Sequence, residues 1–253
     1  MKRYIKRIYL IWRRGRNDSR IKIGKITRNQ TEGVRFEYIS DGVKEALEKG
    51  FNMYPDFPNP EVVYKNNVLE VFAQRLTNTE RSDIQKYYNY WEINPKLKEN
   101  KYYVLAQTQG LLSTDNFEFL AEYYPVRDLK FTSEVCGLTR RQLPSGILKE
   151  GDILEWKLDK RNLYDKYAVQ LFKDGIDIGY VKTVHSKVFH DSKYKLFKVQ
   201  VKSVEQNGHL NRAFISITTI DKKHSRSIEY NLPDDMLTYG FFSCFCQKSS
   251  SFG

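Results

Sequence analysis

The stretch that decides the fold of the C-terminal half is Lys160–Val181, KRNLYDKYAVQLFKDGIDIGYV. Tyr167, Val169 and Leu171 alternate along it, Lys173-Asp174-Gly175 supplies a turn, and Ile176, Ile178 and Tyr180 resume the alternation. That is the period of a half-buried β-hairpin. Directly before it stand Asn162, Tyr164 and Asp165. A polar and aromatic cluster at that position belongs at a strand mouth. There Asn162 and Asp165 are expected to accept hydrogen bonds from turn amides, and Tyr164 to present a flat face. On the residues alone, the cluster reads as a structural Asx-turn.

Working outward, KFTSEVCGL, GDILEWKL, YAVQLF, IDIGYV, KLFKVQVKSVE and RAFISITT are short alternating or β-branched runs separated by turn-forming groups. Six strands in about ninety residues predict a small closed barrel. Upstream, YIKRIYLIW, IKIGKIT and VRFEYIS predict a small antiparallel meander. A short helix, GVKEALEKG, follows, capped by Ser40 or Asp41 and stopped by Gly50. After the proline-rich YPDFPNP, the spacing of Val68, Val71, Phe72 and Leu76 predicts a second helix. Thr79 is placed to cap a third, ended by Asn94-Pro95. The domain expectation is an α+β unit over 1–125, a mainly β, OB-like small barrel over 129–221, with the joint at Pro125–Leu129, and a partly ordered tail over 222–253.

Composition narrows the function classes. The 253 residues carry a formal charge of +11 with 18 Tyr and 15 Phe, a folded protein suited to polyanionic partners. Residues 1–28 hold eleven Lys or Arg, among them Arg13, Arg14, Arg16 and Arg20, against Asp18 alone. This is either a solvated rim or a phosphate-binding face. Cys136, Cys244 and Cys246 form no disulfide framework, and no stretch reaches the roughly 18–20 apolar residues of a membrane span. A cytoplasmic protein without membrane contact is expected.

Catalytic and metal motifs are missing. No phosphate-cradling glycine loop or nucleophile elbow occurs. His185 and His190 stand five apart, off the i, i+4 spacing of zinc helices, and read as surface histidines; the Cys244/Cys246 pair has no second ligand pair. Glu134, Asp152 and Asp159 show no metal-site spacing. The expectation is a non-enzymatic chain without cofactor or metal.

Two resemblances sharpen the reading. GDILEWKLDKRNLYDKYAVQLFKDGIDIGYVK resembles the HIRAN domain: Asn162, Tyr164, Asp165 and Ala168 follow its N-P-Y-D-x-x-A turn, with Leu163 in place of Pro, and Gly179, Tyr180 and Val181 follow its G-Y-V strand. Covering about Leu129 to Thr219, the resemblance implies an OB-like DNA-binding barrel with a pocket for a single-stranded 3′ end. In it the residues matching Tyr164 and Asp165 contact the terminal nucleotide. Where the family supplies a first-strand aromatic, this chain has Thr139, Arg140 and Arg141. That exchange trades stacking for phosphate attraction. The N-terminal part is similar to the N-terminal subdomain of HipA-type toxin kinases, through Phe72, Leu76, Asn78 and Arg81 in a helical F-x-x-L-x-N-x-x-R segment. The kinase lobe has no counterpart, which implies a docking or regulatory module.

The expected function is therefore nucleic-acid binding, to single-stranded DNA or 3′ ends. Arg140, Arg141, Lys160, Arg161, Lys166 and Lys182 are the exposed phosphate contacts, Tyr164 the stacking platform, and Asn162 and Asp165 its polar support. The alternative is docking of a separately encoded toxin kinase, nuclease or helicase. A nuclease with dispersed carboxylates ranks last.

Overall fold

The computed structural model describes residues 4–15, 18–190, 196–207 and 209–220. The expected tail from 222, with His224, Cys244 and Cys246, lies outside the described residues, as does Arg16. The chain divides into two compact units, Met1–Tyr124 and Pro125–Gly253.

The first unit is built on a four-stranded antiparallel sheet. The meander comprises β1 (Ile5–Trp12), β2 (Ile21–Asn29) and β3 (Gly33–Tyr38). Three helices follow, α1 (Ser40–Leu47), α2 (Val68–Ala73) and α3 (Ile84–Tyr90). Then come α4 (Lys101–Thr108) and β4 (Phe117–Tyr123). β4 pairs with β1, giving the order β3-β2-β1-β4 and placing β1 at the centre. This fourth strand is an addition to the expected meander. The core is aromatic: Phe72 packs at 5.3 Å from Phe36, 5.0 Å from Phe57 and 5.0 Å from Phe119 between ring centroids. These are edge and tilted contacts that rings favour over face-to-face stacking.

Several local expectations fail here for physical reasons. Ile39, not Ser40 or Asp41, is the residue before α1, and no side chain caps that helix. The Ile39 amide is already committed to the sheet through Ile23 O at 2.9 Å, and its carbonyl takes the Val43 amide. The second and third helices are shorter than their periodicity predicts, so the F-x-x-L-x-N-x-x-R segment is not one helix. Asn78 Oδ1 accepts the Glu80 amide at 2.9 Å, and Arg81 bonds Asp83, the residue preceding α3. Local side-chain bonds of this kind compete with helix extension. Thr79 caps nothing. Four cations of the basic N-terminal stretch are committed to ion pairs: Arg13 and Arg20 with buried Glu118, and Lys6 and Arg7 with Glu122, while Arg14 stays exposed beside Asp18. Glu118 and Glu122 lie on β4, beyond the reach of a local reading.

The second unit is a closed six-stranded antiparallel barrel in the order β10-β5-β8-β7-β6-β9. Its strands are β5 (Lys130–Cys136), β6 (Ile153–Leu158), β7 (Val169–Lys173), β8 (Ile176–Val181), β9 (Phe197–Asn207) and β10 (His209–Thr219). A short helix, α5 (Thr183–Ser186), follows β8. The period-two residues close the core: Phe131, Val135, Leu154, Val169, Leu171, Ile178, Val199, Val201, Ala213, Ile215 and Ile217 are buried. Closure pairs every strand on both sides and leaves no open edge.

The hairpin follows the sequence closely. Lys173 pairs with Ile176, leaving a two-residue loop in which Asp174 has φ +50° and Gly175 φ +77°. Both values lie in the left-handed region that a type I′ turn demands, and such a turn matches the twist of the strands. Gly179 has φ +143°, and a Cβ there would overlap the Cys136 carbonyl oxygen. The glycine is thus required where β8 crosses β5.

Candidate nucleic-acid interface

Between β6 and β7 the chain makes a compact turn, Asp159 to Ala168, held by its own side chains. Asn162 Oδ1 accepts both the Tyr164 amide at 3.0 Å and the Asp165 amide at 2.9 Å, and Asp165 Oδ1 accepts the Tyr167 amide at 2.9 Å. The Ala168 amide returns to Asp165 O at 3.0 Å, and Asp159 N to Ala168 O at 3.0 Å. Three Asx bonds, two to Asn162 and one to Asp165, thus fix the backbone on either side of Leu163 and Tyr164.

The side chains at the tip have no such restraint. Tyr164 is 98% exposed and Leu163 93%. Lys160, Arg161 and Lys166 flank them, all exposed, with Arg161 close enough to favour the ionised Asp159. Lys166 Nζ lies 5.1 Å from the centroid of the Tyr167 ring, and Lys187 Nζ approaches the same ring at 5.6 Å. That ring and His190 meet nearly at right angles, with 5.3 Å between ring centroids.

A polar chain ties this turn to the loop after β5. Asp159 accepts from Arg161 N at 3.1 Å, from Asn162 Nδ2 at 3.3 Å and from the Tyr180 hydroxyl at 3.1 Å. The Tyr180 ring carries the Arg141 guanidinium at 5.3 Å, and Arg141 donates to Gly137 O at 2.8 Å and to Asp177 at 2.9 Å. Desolvation opposes ionisation of Asp159, but its hydrogen bonds from Asn162, the Arg161 amide and Tyr180 outweigh it and hold the carboxyl below the usual aspartate range. Desolvation, reinforced by the Asp159 carboxylate, pushes the Tyr180 hydroxyl up. Asp159 is therefore an anchoring carboxylate, fully ionised at neutral pH.

The structure sorts the nine sequence-derived site residues into two groups. Lys160, Arg161, Asn162, Tyr164, Asp165 and Lys166 come together on one turn, and Arg140 stands exposed in the 3-10 turn Leu138–Arg140 that follows β5. Two expectations of exposure are corrected. Lys182 is 1% exposed, its ammonium 3.1 Å from Glu134, a carboxylate shared with Arg212 Nε at 2.8 Å. A buried ammonium demands such a partner. Arg141 is spent on Gly137, Asp177 and Tyr180. The surface reading of the histidines is corrected too: His185 is buried with Nδ1 2.8 Å from Ser133 Oγ, and His190 is half-buried against Tyr167. In the sequence alone Asp159 and Tyr180 have no part in the site, and Asp177 and Lys187 are not singled out. Tyr180 carried a signal, since a tyrosine at the last alternating position of a strand needs a partner for its hydroxyl.

Fold and site define an α+β unit followed by a small closed β-barrel with an aromatic-tipped, cation-flanked turn. No protein-family model matches the chain, and no curated protein matches it. Among solved structures, the crystal structure of the HIRAN domain of human HLTF aligns over 44% of this chain and 91% of that one, at 16% identity and a TM-score of 0.29. Among the described residues no group of His, Cys, Asp or Glu is placed to hold a metal ion, and no helix is long and apolar enough to cross a membrane.

Proposed function

We propose that this chain is a non-enzymatic nucleic-acid-binding protein and that its barrel, a HIRAN-like domain by its N-x-Y-D-x-x-A and G-Y-V motifs, holds single-stranded DNA on the 159–168 turn. One observation carries the reading: a backbone fixed by the Asx bonds of Asn162 and Asp165 presents a fully exposed Tyr164 between the exposed cations Lys160, Arg161 and Lys166. Bases stack on aromatic faces without regard to sequence, and flanking cations release counterions from the phosphates. Asp165 Oδ1 belongs to the turn, so Oδ2 is the atom that would accept from a terminal hydroxyl if a strand end were bound.

The test is fluorescence anisotropy with a labelled single-stranded oligonucleotide across a salt series. Tyr164→Ala is expected to weaken binding about 10- to 100-fold, from a stacking contribution of about 1–3 kcal/mol. Replacing Lys160, Arg161 and Lys166 together lowers the salt slope by roughly 0.7 per lost phosphate contact. Absence of binding at low salt rejects the proposal and favours the docking of a separate protein on the exposed Leu163-Tyr164 tip.

A further inference from the structure

We infer that the turn binds the interior of a continuous single strand, by inserting Tyr164 between neighbouring bases, and needs no free end. This rests on the nucleic-acid reading above and narrows its ligand. A pocket that reads an end needs walls, one surface beneath the last base and another beyond it. The described site offers one protruding ring. Tyr164 is 98% exposed, and neither an aromatic ring nor a cation of the described residues lies against either of its faces. Among the described residues, two further rings of this region are engaged: Tyr167 by His190, Lys166 and Lys187, and Tyr180 by Arg141. Neither is free to close over a terminal base.

A ring exposed on both faces accommodates one base on each side, which a continuous strand supplies and a terminus does not. The cations agree with this. Lys160 and Arg161 precede the tip along the turn and Lys166 follows it, all three exposed. Cations on both flanks suit a phosphate track that continues past Tyr164 in both directions. Leu163, apolar and equally exposed, supplies a second surface against a splayed base, the role in which leucine acts as a wedge between bases.

The experiment compares a ligated circular thymidine 40-mer with the linear 40-mer of the same sequence, using the full chain at low salt. Each is also made with a single internal 2-aminopurine. The expected result is equal affinity within about twofold, 2-aminopurine fluorescence that rises on binding in both forms, and a loss of about 10- to 100-fold in both with Tyr164→Ala. Tyr164→Phe is expected to stay within about twofold of the native chain, which separates ring loss from turn damage. Binding of the linear form with the circle at least tenfold weaker overturns the inference and leaves the nucleic-acid reading intact. Equal binding that ignores Tyr164→Ala also overturns it, leaving backbone attraction alone. If neither form binds, the proposed function fails together with the inference.

Discussion

Replacing Asn162 tests whether the turn is held as its geometry indicates. Its Oδ1 accepts two amides, at 3.0 and 2.9 Å, while its Nδ2 donates to Asp159 at 3.3 Å. An intramolecular bond of this type contributes about 0.5–1.5 kcal/mol net, which gives about 1–3 kcal/mol for the two amides. Asn162 is only half-buried, so water takes over part of the loss in Asn162→Ala, and the expected cost is about 1–2 kcal/mol. Local hydrogen exchange reads this directly: the Tyr164 and Asp165 amides should exchange about 5- to 30-fold faster. Asn162→Asp separates the two halves of the interaction. It keeps the acceptor for both amides but sets a second carboxylate against Asp159, so its exchange, normalised for the intrinsic pH dependence, should be faster than native at pH 7.5 and approach native only as pH falls through the carboxylate range, about pH 3–4. Unchanged exchange at both amides in a folded Asn162→Ala protein would refute the view that this side chain fixes the tip.

Gly179→Ala should cost the barrel about 2–4 kcal/mol in urea unfolding, because φ +143° is unfavourable for alanine and the new Cβ meets Cys136 O; a cost under about 0.5 kcal/mol would contradict the β5–β8 packing. Lys182→Met should change DNA affinity by less than twofold, since its ammonium is buried against Glu134; a tenfold loss in a folded variant would contradict that placement. Asp159 is held below its unfolded range, so its contribution is complete above about pH 3.9, the unfolded aspartate value, and is lost as pH falls through the lower folded value. Asp159→Asn should therefore remove that acid-dependent part of barrel stability, measured by unfolding between about pH 2 and 5.

The legibility of this chain follows the range of its interactions. The hairpin was readable because its determinants are local: alternation sets the strands, and Asp174-Gly175 sets the turn. The Asx bonds of Asn162 and Asp165 span two or three residues and were readable for the same reason. Lys182 was not, because its partner Glu134 lies on another strand, and sequence adjacency to G-Y-V says nothing of the neighbour across the barrel. Arg141 was misjudged likewise, through Asp177 and Tyr180. In the first unit Arg75 carries no local signal of its role. Buried, it makes a bidentate pair with Asp115 at 2.6 and 2.8 Å and donates to Gly110 O at 2.9 Å, a clamp across some forty residues that no periodicity reveals. The short second helix shows the opposite fault. The spacing of Val68, Val71, Phe72 and Leu76 is helical, but the amides of Gln74, Arg75 and Leu76 bond three residues back rather than four, so the α-helix ends at Ala73 and tightens into a 3-10-type turn.

On the proposed reading, the division between a held backbone and free side chains is what would let so small a turn bind at all. Stacking a base on Tyr164 supplies about 1–3 kcal/mol. Fixing the backbone of one flexible residue costs about 1–2 kcal/mol, so ordering the four residues from Asn162 to Asp165 upon binding would cost roughly 4–8 kcal/mol and cancel the stacking. The Asx bonds meet that cost during folding. What remains for binding is the rotamer freedom of Tyr164, a small loss because only two torsions are involved. A polar cluster directly before a buried hairpin is thus explained by a single requirement: the barrel anchors the turn through Tyr180 and Asp159, the turn anchors its own amides, and the ring at the tip is left free for a ligand.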